Sequence, residues 1–561
     1  MNTNRMKQVF TTLLSAILLA LSANAQPSAV KNITKSMFSL KAFDKDGNTI
    51  ATTNGIFTSS NGEGVCTWTP LANAARAEIT DCNGRKYEVN TIIGANALYD
   101  VCKIKVATTG KTSPANLASA AQPVGTKAWL LTSTDKKAAA KQYEVQRNES
   151  FMDKYSYYIF SYNDEIPETG SPFVNAKGEV IGLLQASETA NEIHAVDAQF
   201  ILSLRLETMA LNTPMMTKTG IRMELPDDKD QALLLLMMSS EQRDSVKYSN
   251  YMNDFIEKFP HEVDGYSTRA LNKVANNDFA GADADMRTAL KEATNKAEAH
   301  AEYARVMYHK LVYNADTTFT AWTFDKALQE AETAYKIDAQ PSYKHRIAQI
   351  NFSKGEYATA YDLFISLANT SLRSGEVYYE AAQCKAHLQA PQEEIVALLD
   401  SAVAACPKPL TNVSAPYILA RAAAYDAMKE YRKALADYNA YDTLMLGRAS
   451  AEFYYTRYRC ELNIRQYQQA LNDIVHAAYI NPQEPLYFAE MASLELRVNR
   501  LEEAVKAADL CLKLSPENTD ALIIKGVALA MSNKKEEGIP CLKKADELGD
   551  ERAKAMMEKY K

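Results

Sequence analysis

Six residues hold most of the reactive chemistry legible in this chain: Thr69, Asp100, Pro167, Thr169, Ser171 and His194. Two hydroxyls lie in one short run, Pro167-Glu168-Thr169-Gly170-Ser171-Pro172. A hydroxyl attacks a carbonyl only when an adjacent base takes its proton. The usual base is a histidine held by a carboxylate. Asp100, in Tyr99-Asp100-Val101-Cys102-Lys103-Ile104, is one of several carboxylates in the first 205 residues, and no histidine precedes His194. His194 follows the hydroxyl-bearing run. Without a base, the reading of Asp100 as a strand-start carboxylate taking turn hydrogen bonds is the better one.

The eight cysteines show no CxxC and no Cys/His spacing of a metal site. No metal or cofactor is expected. Exported proteins can form disulfides. For Cys66, Cys82 and Cys102 at the front of the chain, buried free thiols are expected, with a Cys66–Cys82 bridge as the alternative.

The elements that must position these residues fall into two parts. Residues 27–205 alternate short β-rich runs, such as SMFSLKAF, KYEVNTII, VCKIKV and EVIGLLQ, with turn signals at Asp46-Gly47-Asn48, Asn61-Gly62, Asn83-Gly84 and Lys177-Gly178. Many short strands between Gly and Asn turns predict an all-β barrel or sandwich. Residues 206–228 read as a linker.

The order of these segments resembles the trypsin-like serine protease fold in its bacterial exported form. Asn54-Gly55-Ile56-Phe57-Thr58-Ser59-Ser60-Asn61-Gly62 is similar to the family's entry hairpin, the Asp100 segment to the strand with the triad aspartate, and Gly170–Gly182 to the nucleophile loop and its following hairpin. His194-Ala195-Val196 resembles the later strand beside the specificity pocket. The resemblance implies a double β-barrel in which Thr69 takes the place of the catalytic histidine and Thr169 that of the serine. Pro167 falls where the family has a glycine whose N–H helps hold the oxyanion, and proline has no N–H. Losing one such donor costs roughly 3–4 kcal/mol of transition-state stabilisation. If the loop were shifted by two, Ser171 would be the working serine, but the missing histidine defeats that reading too.

From about 229 to 552 the chain repeats. Ala470, Ala504 and Gly538 are 34 apart, as are Ala477, Cys511 and Ala545, and Pro482 and Pro516 keep the step. A fixed period of this length predicts stacked helical hairpins. About nine units fit, the last four at 415–448, 451–484, 485–518 and 519–552, with an insertion around Asp316–Phe324 in the third; 553–561 reads as a terminal helix end. Small residues at fixed positions predict close helix crossings. The pattern of Tyr454, Arg457-Tyr458, Ala470, Ala477, Pro482, then Phe488, Met491-Ala492, Ala504 and Pro516 resembles the tetratricopeptide repeat. That resemblance implies a solenoid whose concave face binds peptides or protein surfaces.

Arg5 and Lys7, the apolar run VFTTLLSAILLALSA and Ala23-Asn24-Ala25 before Gln26 read as a secretory signal with cleavage after Ala25. The apolar run is short of the roughly 20 residues that span a bilayer. Formal net charge is −7 without a basic cluster, which disfavours nucleic acid and anionic membrane surfaces as partners. The fold expected is therefore an all-β trypsin-like double barrel followed by an all-α repeat array. The function expected is a non-enzymatic, protein-binding scaffold in the periplasm or outer envelope. The alternatives are a serine endopeptidase with non-standard residues, and a β domain that only caps the array.

Overall fold

The computed structural model describes residues 28–108, 110–134, 137–163, 167–187, 189–205, 218–241 and 244–560. The expected signal segment 1–25 and the 206–217 part of the expected linker lie outside them. The chain divides into two compact units, the first ending at Arg269 and the second beginning at Ala270.

The first unit opens with two barrels. β1 (Met37–Phe43), β2 (Thr49–Phe57), β3 (Glu63–Cys66), β4 (Arg76–Asp81), β5 (Lys86–Asn96) and β6 (Val101–Val106) run in the order β5-β4-β1-β2-β3-β6, and pairing of β5 with β6 closes the ring. β7 (Lys127–Thr134), β8 (Lys137–Phe151), β9 (Tyr155–Ser161), β10 (Pro172–Asn175), β11 (Val180–Gln185) and β12 (Glu192–Asp197) close a second ring, β10-β11-β12-β9-β8-β7. The pairings within both rings are antiparallel. This is the double barrel expected from the order of the sequence segments.

Alternation along the strands fills the rings, because successive side chains point to opposite faces. Phe38, Leu40, Ile79, Ile92 and Ile104 are buried in the first, and Tyr158, Phe160, Phe173, Ile181 and Leu184 in the second. A third cluster joins the rings: Ile56, Val65 and Val101 from one meet Leu131, Val174, Leu183 and Val196 from the other. Ring closure pairs the edge strands with one another, which removes most of the free sheet edge.

The first barrel carries more than its six strands. β13 (Arg222–Met223) adds beside β5 in parallel. The helices Lys229–Ser240 and Ser245–Lys258, which the repeat pattern places in its first unit, contribute Leu235, Leu236, Tyr251, Met252 and Phe255 to the core cluster of that barrel. The Tyr251 hydroxyl accepts from the Met223 N–H at 2.8 Å, tying helix to strand.

The second unit is helical. Pairs run Ala415–Ala427 with Tyr431–Met445, Ala451–Asn463 with Tyr467–Ile480, Pro485–Arg497 with Leu501–Leu514, and Thr519–Met531 with Lys535–Glu547, before a last helix at Arg552–Tyr560. The second helices of the last three pairs start at 467, 501 and 535, which is the 34-residue step of the sequence. Each pair turns through a residue with positive φ: Lys429, Arg465, Asn499 and Asn533. A left-handed residue after a helix ends it and redirects the chain.

The small residues of the repeat lie where the helices cross. Ala470, Ala477, Ala504, Cys511 and Ala545 are fully buried. At Gly538 a Cβ would meet the Gly526 carbonyl at 2.6 Å, so these two helices approach more closely than any side chain allows. One core runs from pair to pair through Tyr438, Phe453, Tyr458, Ile474, Tyr487 and Leu494. Replacing Ala504 with leucine is expected to cost about 1–3 kcal/mol by overpacking, read as a lower urea midpoint by circular dichroism.

The insertion packs onto its own repeat and onto the helix before it, Phe279–Glu292. Trp322 is buried, its indole N–H donates to Asp283 at 2.8 Å, and its ring meets Phe319 and Tyr303 edge-on.

Candidate functional site

Thr69 begins a short 3-10 turn, Thr69–Leu71, just after β3, and Asp100 immediately precedes β6. β3 and β6 are neighbours, with Cys66 opposite Cys102, so the barrel brings the two residues together. The Thr69 N–H donates to Asp100 Oδ1 at 2.6 Å. Asp100 has φ +42, a strained value for a residue with a side chain, of the kind that gathers at functional sites. Burial pushes its carboxyl above the ordinary range, against the lowering pull of hydrogen bonds from Thr69 and Trp68.

The loop with Thr169 is fastened to β2. The Thr169 carbonyl accepts from the Asn54 N–H and from Thr53 Oγ1, each at 2.9 Å. Thr53 Oγ1 also lies 2.7 Å from Thr67 Oγ1, two residues before Thr69. On its other side the Gly170 N–H donates to the Leu184 carbonyl at 2.8 Å. Gly170 has φ +79 and packs so tightly that a Cβ would fall 2.0 Å from the Asn54 carbonyl oxygen.

Ser171 is fully buried. Its hydroxyl donates to the Glu168 carbonyl at 2.7 Å and accepts from Asn54 Nδ2 at 3.0 Å. Its proton and one of its two lone pairs are engaged in holding the loop. His194 lies on β12 opposite Gln185, with Ser187 Oγ and Glu192 Oε2 each 3.5 Å from its Nε2 and the Tyr157 ring 5.4 Å away. The Gln185 side chain reaches the Asp100 carbonyl at 3.5 Å. Thr69, Asp100 and the Thr169 loop are thus brought to one region, with a threonine N–H as the group facing the aspartate. Such an arrangement can hold chain segments in register and can accept or donate hydrogen bonds. Among the described residues, no group of three or more His, Cys, Asp or Glu could hold a metal ion.

The second unit offers a different kind of site. Ile480, Leu514 and Leu548 stand 34 apart at the ends of successive second helices, each 37–41 % exposed. A cavity of ≈ 420 Å³ lies within the 415–448 repeat, lined by Pro416, Leu419, Tyr441, Met445 and Arg448 among others. Among the described residues, no helix is long and apolar enough to cross a membrane.

Sequence reading missed a buried ionic ladder. Arg421 grips Asp437 through two bonds of 2.8 Å, and Arg457 grips Asp473 through bonds of 2.6 and 2.8 Å. Both pairs are sixteen residues apart, and that recurring Arg-to-Asp spacing was the available signal. Glu461 is buried beside the Arg457 pair, and its Oε2 has no hydrogen-bond partner. Burial and the neighbouring Asp473 hold its carboxyl up at about 8.

The unfolded chain releases the Glu461 proton near 4.5, while the folded chain keeps it to about 8. Its contribution is therefore fully present below pH 4.5 and is lost as pH rises through 8. Glu461→Gln is expected to flatten the fall in stability across that window, measured by urea midpoints at successive pH values. An unchanged slope contradicts the assignment.

A comparison with protein-family models and with curated proteins found no match to this chain.

Proposed function

We propose that this protein is an exported, non-enzymatic scaffold that binds other proteins, built from a protease-like double barrel without protease chemistry and a tetratricopeptide-type solenoid. The observation that carries the reading is the partner of Asp100. The residue whose main-chain N–H meets the carboxylate that would orient a catalytic base in a trypsin-like site is Thr69, whose side chain has no basic nitrogen. A threonine side chain is no general base, so Thr69 activates neither Thr169 nor Ser171. Ser171, the fallback nucleophile, is buried with its hydroxyl spent on Glu168 and Asn54.

Binding is supported in the helical unit by the recurrence of apolar Ile480, Leu514 and Leu548 at the repeat step and by the apolar cavity beside Tyr441 and Met445. Periodic exposed side chains suit a peptide segment of a partner protein that lies across several repeats. The enzyme alternative is tested with the full chain, a casein substrate and a serine-directed fluorophosphonate. No cleavage and no labelling is expected. Labelling that disappears in a Thr169→Ala, Ser171→Ala double variant overturns the scaffold reading. Its binding half is tested by crosslinking in native envelope. The partner recovered with the full chain is expected to be lost with Ile480→Glu, Leu514→Glu and Leu548→Glu combined, and undiminished recovery moves the binding surface elsewhere.

A further inference from the structure

We propose that Cys66 and Cys102 close a cross-strand disulfide as the first barrel folds, and that this bond fixes the two strand ends that deliver Thr69 and Asp100. Its presence in the cell rests on the export reading above, whereas the capacity to form it does not.

The placement is set by strand register. β3 and β6 are antiparallel neighbours, and Cys66 and Cys102 are direct Cα partners. Residues so opposed lie roughly 4.5–5.5 Å apart at Cα, within the roughly 4.4–6.8 Å spanned by disulfides. Opposed residues also project to the same face, here the barrel interior, where both are fully buried in one cluster. The Cys102 thiol donates to the Lys103 carbonyl at 3.8 Å, and burial, with Cys66 beside it, pushes it well above the ordinary thiol range. Cys82, the third cysteine of the barrel, is exposed, and its thiol donates to the Lys35 carbonyl.

Burial sets the order of events. An oxidant cannot reach either sulfur once the ring has closed, and a thiol held in an apolar core seldom ionises to the thiolate that reacts. The bond therefore forms while the barrel is still open. With glutathione disulfide as the oxidant, the Cys66 thiolate attacks one of its sulfurs and expels a glutathione thiolate. The Cys102 thiolate then attacks Cys66 Sγ in the mixed disulfide and expels the second. Two cysteine thiols lose two protons and two electrons, and one glutathione disulfide becomes two thiols.

The consequence lies next to the candidate site. Cys66 is three residues before Thr69 and Cys102 two after Asp100. A link here closes a loop of thirty-seven residues in the unfolded chain, favouring the folded state on the order of 10²- to 10³-fold.

The test starts from the full chain, denatured and reduced, then refolded in a glutathione redox buffer. The refolded protein is quenched in acid, unfolded and alkylated without reduction, then digested for mass spectrometry. The expected result is a Cys66–Cys102 cross-linked peptide with the other six cysteines alkylated. Refolded protein with both thiols alkylated, or with Cys66 linked to Cys82, overturns the proposal. Protein refolded under reducing conditions and only then exposed to glutathione disulfide is expected to stay reduced at both positions; prompt oxidation there overturns the order of events. In denaturant, wild type is expected to unfold later in oxidising than in reducing buffer, and Cys102→Ala to show no such difference. Mass spectrometry of the native protein separates the two readings. A mature start at Gln26 supports export, whereas an uncleaved start with free thiols, alongside successful bonding on refolding, removes export and leaves the pairing intact.

Discussion

Gly170→Ala is expected to destabilise the double barrel by about 3–5 kcal/mol or to prevent its folding. The added Cβ would lie 2.0 Å from the Asn54 carbonyl oxygen and 2.8 Å from Thr53 Oγ1, and the nearer of these is main chain that cannot rotate away. The loop cannot withdraw either. It is bonded to β2 through Asn54 N–H to Thr169 O and to β11 through Gly170 N–H to Leu184 O, so retreat on one side breaks the other. The φ of +79 adds strain of roughly 1–3 kcal/mol for a residue with a Cβ. Each hydrogen bond lost in a buried loop adds about 1–3 kcal/mol when its partner stays dry. Urea unfolding followed by the fluorescence of Trp68 and Trp129 reads this unit. Gly110→Ala, whose Cβ meets nothing within 4 Å, is the matched control and is expected to shift the midpoint little. Equal midpoints for the two variants would mean that the loop is not held as described.

Arg457→Ala is expected to cost the helical unit about 3–5 kcal/mol, the usual penalty for removing one member of a buried ion pair. Arg457 donates to Asp473, to Asp442 and to Asn439, and only a tenth of its side chain is exposed. Without it Asp473 is left buried next to Glu461 and without its ion-pair partner among the described residues. The double variant Arg457→Leu, Asp473→Leu is expected to recover most of the loss, because the cost lies in the stranded charge rather than in the missing bond. Arg421→Ala is expected to cost less, since one of its partners, Asp400, is half exposed and keeps its water. Thermal unfolding by circular dichroism compares all three. A loss below about 1 kcal/mol for Arg457→Ala would show that water reaches the pair.

The part of the fold that was legible beforehand was the part with a period. Ala470, Ala504 and Gly538 announce a helix crossing by being small at one interval, because only small side chains let two backbones approach. The β character of the first part was legible from short β-rich runs and from turn residues such as Gly62 and Gly178, which adopt positive φ. Barrel and sandwich stayed open there, and only the resemblance in segment order implied a double barrel. The helices at 229–258 were legible as helices, but not as part of the core of the first barrel. An apolar face read from sequence does not say which neighbour covers it. The ionic ladder was not legible because a lone Arg or Asp on a helix is ordinarily exposed, and only packing shows which of them are buried.

The candidate site divides in the same way. The chain alone determines that no histidine precedes His194 and that Pro167 has no N–H to offer, since both are facts of composition and covalent chemistry. Tertiary structure alone decides that Thr69 donates its main chain to Asp100, that Ser171 is sealed beneath Asn54, and that Cys66 faces Cys102 and not Cys82. Each of these depends on strand register. A slip of one residue would turn the side chains of a whole strand to its other face, and a register is chosen by the packing of the complete barrel rather than by any local run of sequence.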